Sequence, residues 1–143
     1  MHTFRNAHLD FDDEIVWDVL SSKQFLRQLV TQLAPFDLGL PDSFYLGSPH
    51  TGEVNVCGKT YEYDARLKID QDARTIVLTV FTDVVDGTLR IRLQPKNSST
   101  EIVGEIDIEA PAMLNLLMSS GKKQVDQKLS DAYELLEKQV RSV

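Results

Sequence analysis

The chain has 143 residues, 42% of them hydrophobic, which suits one globular domain with a genuine core and is short for two. Lysine and arginine total 15 against 22 acids, a formal net charge of −7, so the surface repels phosphate backbones and anionic headgroups, and no nucleic-acid partner is expected. No run approaches the roughly 18 apolar residues of a membrane span, and Met1-His2-Thr3-Phe4-Arg5-Asn6 lacks the apolar centre of a signal peptide; no stable membrane insertion and a cytoplasmic location are expected.

Residues 2–11 read as a strand, with Ala7, Leu9 and Phe11 on one side and Asn6, His8 and Asp10 on the other. At Asp12-Asp13-Glu14 the period changes. Acids at a helix N-terminus favour the dipole and cap free N–H groups, and Ile15, Val16, Val19 and Leu20 then recur at helical spacing, predicting a helix over about 13–21. Ser21 or Ser22 ends it and caps a second short helix, whose stripe is Phe25, Leu26, Leu29, Val30 and Leu33. From Pro35 to Gly58, prolines and glycines break the pattern repeatedly. Within that stretch Phe44-Tyr45-Leu46 reads as a short strand, Glu53–Cys57 as a better one, and His50 as a loop residue.

Gly58-Lys59 forms a turn, after which Tyr61, Tyr63, Ala65, Leu67 and Ile69 alternate with Thr60, Glu62, Asp64, Arg66 and Lys68, a half-buried strand. Thr75–Thr82 is apolar on both sides and therefore central. In Gly87–Leu93, Leu89, Ile91 and Leu93 share one face; after a turn at Pro95–Ser99, so do Ile102, Gly104, Ile106 and Ile108. The outer faces of these two strands carry Arg90 and Arg92 on one and Glu101, Glu105, Asp107 and Glu109 on the other, which predicts a ladder of ion pairs between antiparallel neighbours. Short turns imply an antiparallel meander. From Pro111 to Val140 the residues Leu114, Met118, Val125, Leu129, Ala132, Leu136 and Val140, with Gly121 in the same row, form one stripe of an amphipathic helix about 45 Å long. A helix so long and one-sided needs a matching surface, and the strands supply it.

The order, a strand, two short helices, antiparallel strands and a long terminal helix, resembles the helix-grip fold of the START/Bet v-like superfamily. Two local words carry the same likeness. Phe11-Asp12-Asp13-Glu14-Ile15-Val16-Trp17-Asp18-Val19-Leu20 is similar to that superfamily's strand-to-helix opening. Gly87-Thr88-Leu89-Arg90-Ile91-Arg92-Leu93-Gln94-Pro95, followed by Thr100-Glu101-Ile102, resembles the strand pair of its bacterial branches, the polyketide cyclase/dehydrase-like proteins and those similar to a small component of carbon monoxide dehydrogenase. The superfamily often has a proline where Phe11, Asp12 and Asp13 sit, so the departure leaves the start of the first helix open. The resemblance implies an α+β fold, a curved antiparallel sheet wrapped around a long C-terminal helix. It also implies a cavity between them that in many members holds an apolar molecule such as a lipid, polyketide or quinone.

On that reading the lining residues are Val54, Val56, Tyr61, Tyr63, Leu89, Ile91, Ile106, Met113, Leu117, Met118 and Gly121, with the mouth near residues 35–58 and 112–121. Gly104 and Gly121 lie on inward rows, where each either lets backbone pack closely or leaves a void. Tyr61, Tyr63 and Tyr133 each either fill the core and bond to backbone or donate to a ligand. His2, His8 and His50 are scattered without carboxylate spacing, the lone Cys57 has no base beside it, and neither a metal nor a cofactor is expected. Three functions fit: a non-catalytic holder of an apolar small molecule, a cyclase or dehydratase that positions a flexible substrate with a tyrosine as proton donor, and a ligand-free interaction module acting through its acidic outer sheet.

Overall fold

The computed structural model describes residues 1–33, 38–56, 58–109 and 121–143, and the backbone alone of Val56, Gly121 and Lys122. Its elements in chain order are β1 (His2–Leu9), α1 (Asp13–Leu20), α2 (Lys23–Leu33), a 3-10 helix (Asp42–Leu46), β2 (His50–Val56), β3 (Lys59–Asp70), β4 (Thr75–Thr82), β5 (Asp86–Lys96), β6 (Ser99–Glu109) and α3 (Gly121–Arg141). The six strands form one curved antiparallel sheet in the order β1-β6-β5-β4-β3-β2. β2 to β6 are a meander, as the short turns require. β1 closes against β6, so α1 and α2 carry the chain from one edge of the sheet to the other.

The start of α1, left open by the missing proline, is fixed by Asp12. Its carboxylate accepts the Glu14 N–H at 3.2 Å, and that bond holds the Asp12 carboxyl below its ordinary range. Ser21 closes α1, its Oγ donating to the Trp17 carbonyl at 2.7 Å, and Ser22 Oγ accepts the Phe25 N–H at 3.2 Å to open α2. Arg74, in the left-handed region (φ 51°) at the β3–β4 turn, lies 5.6 Å from the Trp17 ring and 3.8 Å from the Asp13 carboxylate, tying that hairpin to α1.

Three local expectations are corrected. Phe44-Tyr45-Leu46 is not a strand: the Phe44 N–H bonds back to Pro41 O at 3.0 Å, Gly47 ends the turn at φ 102°, and the 3-10 path buries adjacent Phe44 and Tyr45 together, which a strand would send to opposite faces. The turn after β5 is Asn97-Ser98 alone, with Asn97 at φ 59°, and Pro95 lies within the ladder opposite Thr100. The ion-pair ladder reduces to one rung. Register sets Arg90 opposite Glu105 but Arg92 opposite Val103, and His2 of β1 approaches Glu105 from the other side. Among the described residues, Lys96–Glu101 at 4.0 Å is the only ion pair that joins β5 to β6.

Of the stripe residues of α3 at described positions, Leu129, Ala132, Leu136 and Val140 are buried, with Tyr133 beside them, against β1, α1 and α2, and Val125 is partly buried. Each such aliphatic side chain contributes on the order of 1.5–3 kcal/mol. Gln139 Nε2 donates to Gln28 Oε1 at 2.6 Å across the α2–α3 contact. The expected first third of this helix, over residues 111–120, lies outside the described residues, as does Cys57.

Candidate functional site: the inner face of the sheet

Strand register assembles the inner face from residues far apart in sequence. One row crosses five strands as Thr3, Ile106, Leu89, Leu78 and Leu67; the next runs Arg5, Gly104, Ile91, Ile76 and Ile69. Beyond the first row, towards the end of β6, Gly87, Val80, Ala65 and His50 line up, with Ile108 opposite Gly87. These residues share a face because every second residue of each strand points the same way, and apart from Thr3 and Arg5 on β1 and His50 on β2 they are aliphatic or glycine.

The two ends of this face differ. At one end Leu9, Val16, Trp17, Leu20, Leu93, Ile102, Leu129 and Leu136 are all at most 3% exposed, a closed core. At the other, Leu78, Val80, Ile108, Tyr61 and Val125 pack against that core yet stay partly exposed. Apolar side chains facing inward and left incompletely covered are the feature that marks this end.

The residues proposed to line a cavity divide accordingly. Val54, Tyr63, Leu89, Ile91 and Ile106 are buried on the inner face, and Tyr61 is half-buried there, opposite Val54. The side chains of Val56, Met113, Leu117, Met118 and Gly121 lie outside the described residues. Two surface clefts are bordered wholly by described residues, one of about 530 Å³ at the β2–β3–β4 edge and one of about 480 Å³ beside α1 and the end of α3. Of the proposed lining, only Tyr63 borders either.

Two tyrosines spend their hydroxyls on backbone. Tyr63 donates to the Leu38 carbonyl, pinning the segment before the 3-10 helix over β3, and its ring fills the space that Gly52 leaves open. Tyr133 of α3 donates to the Arg5 carbonyl at 2.8 Å. A Cβ on Gly104 would stand 1.8 Å from the Tyr133 hydroxyl, so this glycine admits an aromatic side chain from the helix, the close-packing alternative. Thr3 Oγ1 bonds to the Asp126 carboxylate, and Arg5 donates to Ser130 Oγ at 3.4 Å, completing a polar seam between β1 and α3.

Burial pushes the Tyr133 phenol well above its ordinary range. The folded-state value exceeds the unfolded one, so this contribution to stability is full below about pH 10 and declines as pH rises beyond it. Urea midpoints of the native protein should therefore fall more steeply above about pH 10 than those of Tyr133→Phe.

His50 is not a loop residue: it opens β2 on the inner face, opposite Ala65, with its ring 6.0 Å from that of Tyr63. Leu78, Val80 and Ile108 also join the site without having been singled out. Register was the signal that could have found them, since Leu89 and Ile108 already belonged to inward rows, Leu89 faces Leu78 directly, and Gly87, opposite Ile108, faces Val80. The other two histidines turn outward, His2 to Asp107 and Glu105, and His8 to Asp10 at 3.1 Å.

Comparison by shape decides what this architecture is. A protein from Thermus thermophilus superposes with a TM-score of 0.68 at 12% identity, covering 99% of this chain and 98% of that one. The chain has the helix-grip fold of the START/Bet v-like superfamily. Other solved helix-grip structures similar to it include the Zhui aromatase/cyclase from Streptomyces sp. R1128 (TM-score 0.54, 15% identity, 93% of each chain). Another is norcoclaurine synthase from Thalictrum flavum in complex with dopamine and hydroxybenzaldehyde (TM-score 0.61, 12% identity, 99% of this chain and 87% of that one). No protein-family model matches the sequence, and no curated protein matches it. At these identities the likeness establishes the helix-grip fold alone. Among the described residues, no helix is long and apolar enough to cross a membrane.

Proposed function

We propose that the protein binds an apolar small molecule, lipid-, polyketide- or quinone-like, between the sheet and the C-terminal helix, without chemistry. The partly exposed inward side chains of Leu78, in the row of Leu89 and Ile106, and of Val80 and Ile108, in the row beside it, carry this reading. Removing such surface from water by ligand burial yields roughly 25 cal/mol per Å². Val54, Tyr61 and Tyr63 stand at the β2–β3 end of the same face, and Met113, Leu117, Met118 and Gly121 would supply the helix side.

A cyclase or dehydratase is the second reading, favoured by Tyr61, which is half-buried on the inner face and whose hydroxyl makes no hydrogen bond among the described residues. Tyr63 is a weaker proton donor for that role because its hydroxyl already serves Leu38.

Native mass spectrometry and titration with a naphthalene dye test the proposal. One apolar adduct per chain, or saturable uptake of one dye displaced by a fatty acid, is the expected result; a protein free of adducts that takes up no dye contradicts it. Turnover of a polyketide-like substrate that is lost in Tyr61→Phe, with dye uptake intact, would establish the enzyme reading instead.

A further inference from the structure

On the opposite face of the sheet, away from the proposed ligand space, β1 and β6 bring together three groups that the sequence separates by about a hundred residues. Register sets His2 opposite Asp107 and Phe4 opposite Glu105, all four side chains pointing outward. The His2 ring stands edge-on to Phe4 at 4.5 Å, which fixes its plane between the two carboxylates. Nδ1 bonds to the Asp107 carboxylate, and Nε2 lies 3.4 Å from Glu105 Oε1. One ligand-capable atom from each of the three residues falls within 4.8 Å of the others.

We infer that His2 Nε2 and the Glu105 carboxylate bind a divalent transition-metal ion such as Zn²⁺, with Asp107 as the positioning residue for His2. Two ligands of one tetrahedral zinc, each about 2.1 Å from it, are about 3.4 Å apart, the spacing these two atoms already have. Asp107 accepts a proton-bearing Nδ1–H, selecting the tautomer whose Nε2 lone pair is free for the metal, as carboxylates behind metal-bound histidines do. A mixed nitrogen and oxygen set suits zinc and its neighbours better than Ca²⁺ or Mg²⁺, which prefer oxygen alone. The side chains of His2, Glu105 and Asp107 are 43%, 28% and 48% exposed, which leaves room for water to complete the coordination and makes the site an exchangeable one. The net charge of −7 favours the approach of any cation.

Isothermal titration of the full chain with ZnCl2, followed by Co²⁺ titration read by its d–d absorption, tests this inference. The native protein should bind one equivalent, His2→Ala and Glu105→Gln should abolish binding, and Asp107→Asn should weaken it about tenfold. The cobalt spectrum should show a four-coordinate site with one imidazole. Absence of binding by the native protein overturns the inference. So does undiminished binding in His2→Ala, which would place the ion at His8 or His50, or in Glu105→Gln, which would mean that the carboxylate is not a ligand. Because all three side chains point outward, His2 exposed and Glu105 and Asp107 partly so, the variants should keep the native urea midpoint, so that lost binding reports on the site and not on folding.

Discussion

Gly104→Ala is expected to lower the free energy of unfolding by about 3 kcal/mol, the upper part of the range for adding a methyl group to a tightly packed site. The new Cβ would fall 1.8 Å from the Tyr133 hydroxyl and 3.1 Å from the Arg5 carbonyl oxygen. Neither partner has an easy retreat. Tyr133 is 6% exposed and bonded to Arg5, whose carbonyl belongs to the β1–β6 ladder. Tyr133→Phe alone should cost about 1 kcal/mol through the lost hydrogen bond. The double variant should be more stable than the sum of the two losses allows, because removing the hydroxyl removes the closest clash, although Cζ at 3.1 Å still crowds the methyl. Urea denaturation of the four proteins reads the cycle. Additive losses would mean that Tyr133 does not occupy the hollow at Gly104.

Val80→Trp is the second large effect, and it acts on binding instead of stability. Val80 faces inward between Ala65 and Gly87, is partly exposed, and has small residues directly opposite it on both sides. An indole there should fill the proposed ligand space and weaken dye or fatty-acid binding at least tenfold, about 1.4 kcal/mol, while the urea midpoint stays near that of the native protein. Ile102→Trp is the control. Ile102 is fully buried in the core, opposite Leu93, so the same enlargement there should destabilise by about 1–3 kcal/mol or more. Equal destabilisation by both changes would mean that the inner face is closed at both ends, and the holder reading would fall.

The architecture was legible because its signals are local and redundant. Alternation in Tyr61–Ile69 and Ile102–Ile108, helical spacing at Leu129, Ala132, Leu136 and Val140, and the acids at Asp12-Asp13-Glu14 and the pair Ser21-Ser22 at the helix ends each state their element within a few residues. Phe44-Tyr45-Leu46 misled because three residues cannot display a period, and Pro41 and Gly47 outweighed β propensity. The site was less legible. Whether Gly104 leaves a void depends on Tyr133, which is supplied by a helix far along the chain; nothing near Gly104 names it. Thr75–Thr82, apolar on both sides, concealed which of its residues face inward until pairing with β5 assigned Leu78 and Val80. His2 looked isolated for the same reason, its carboxylate neighbours being brought to it only by the closing of β1 on β6.

Methyl-resolved NMR of the protein titrated with a medium-chain fatty acid tests most directly whether an apolar molecule enters between sheet and helix. Shifts concentrated at Leu78, Val80, Leu89, Ile106 and Ile108, with Leu93, Ile102 and Leu136 unmoved, are the predicted result. No shifts at all, or shifts confined to outward side chains, would contradict it.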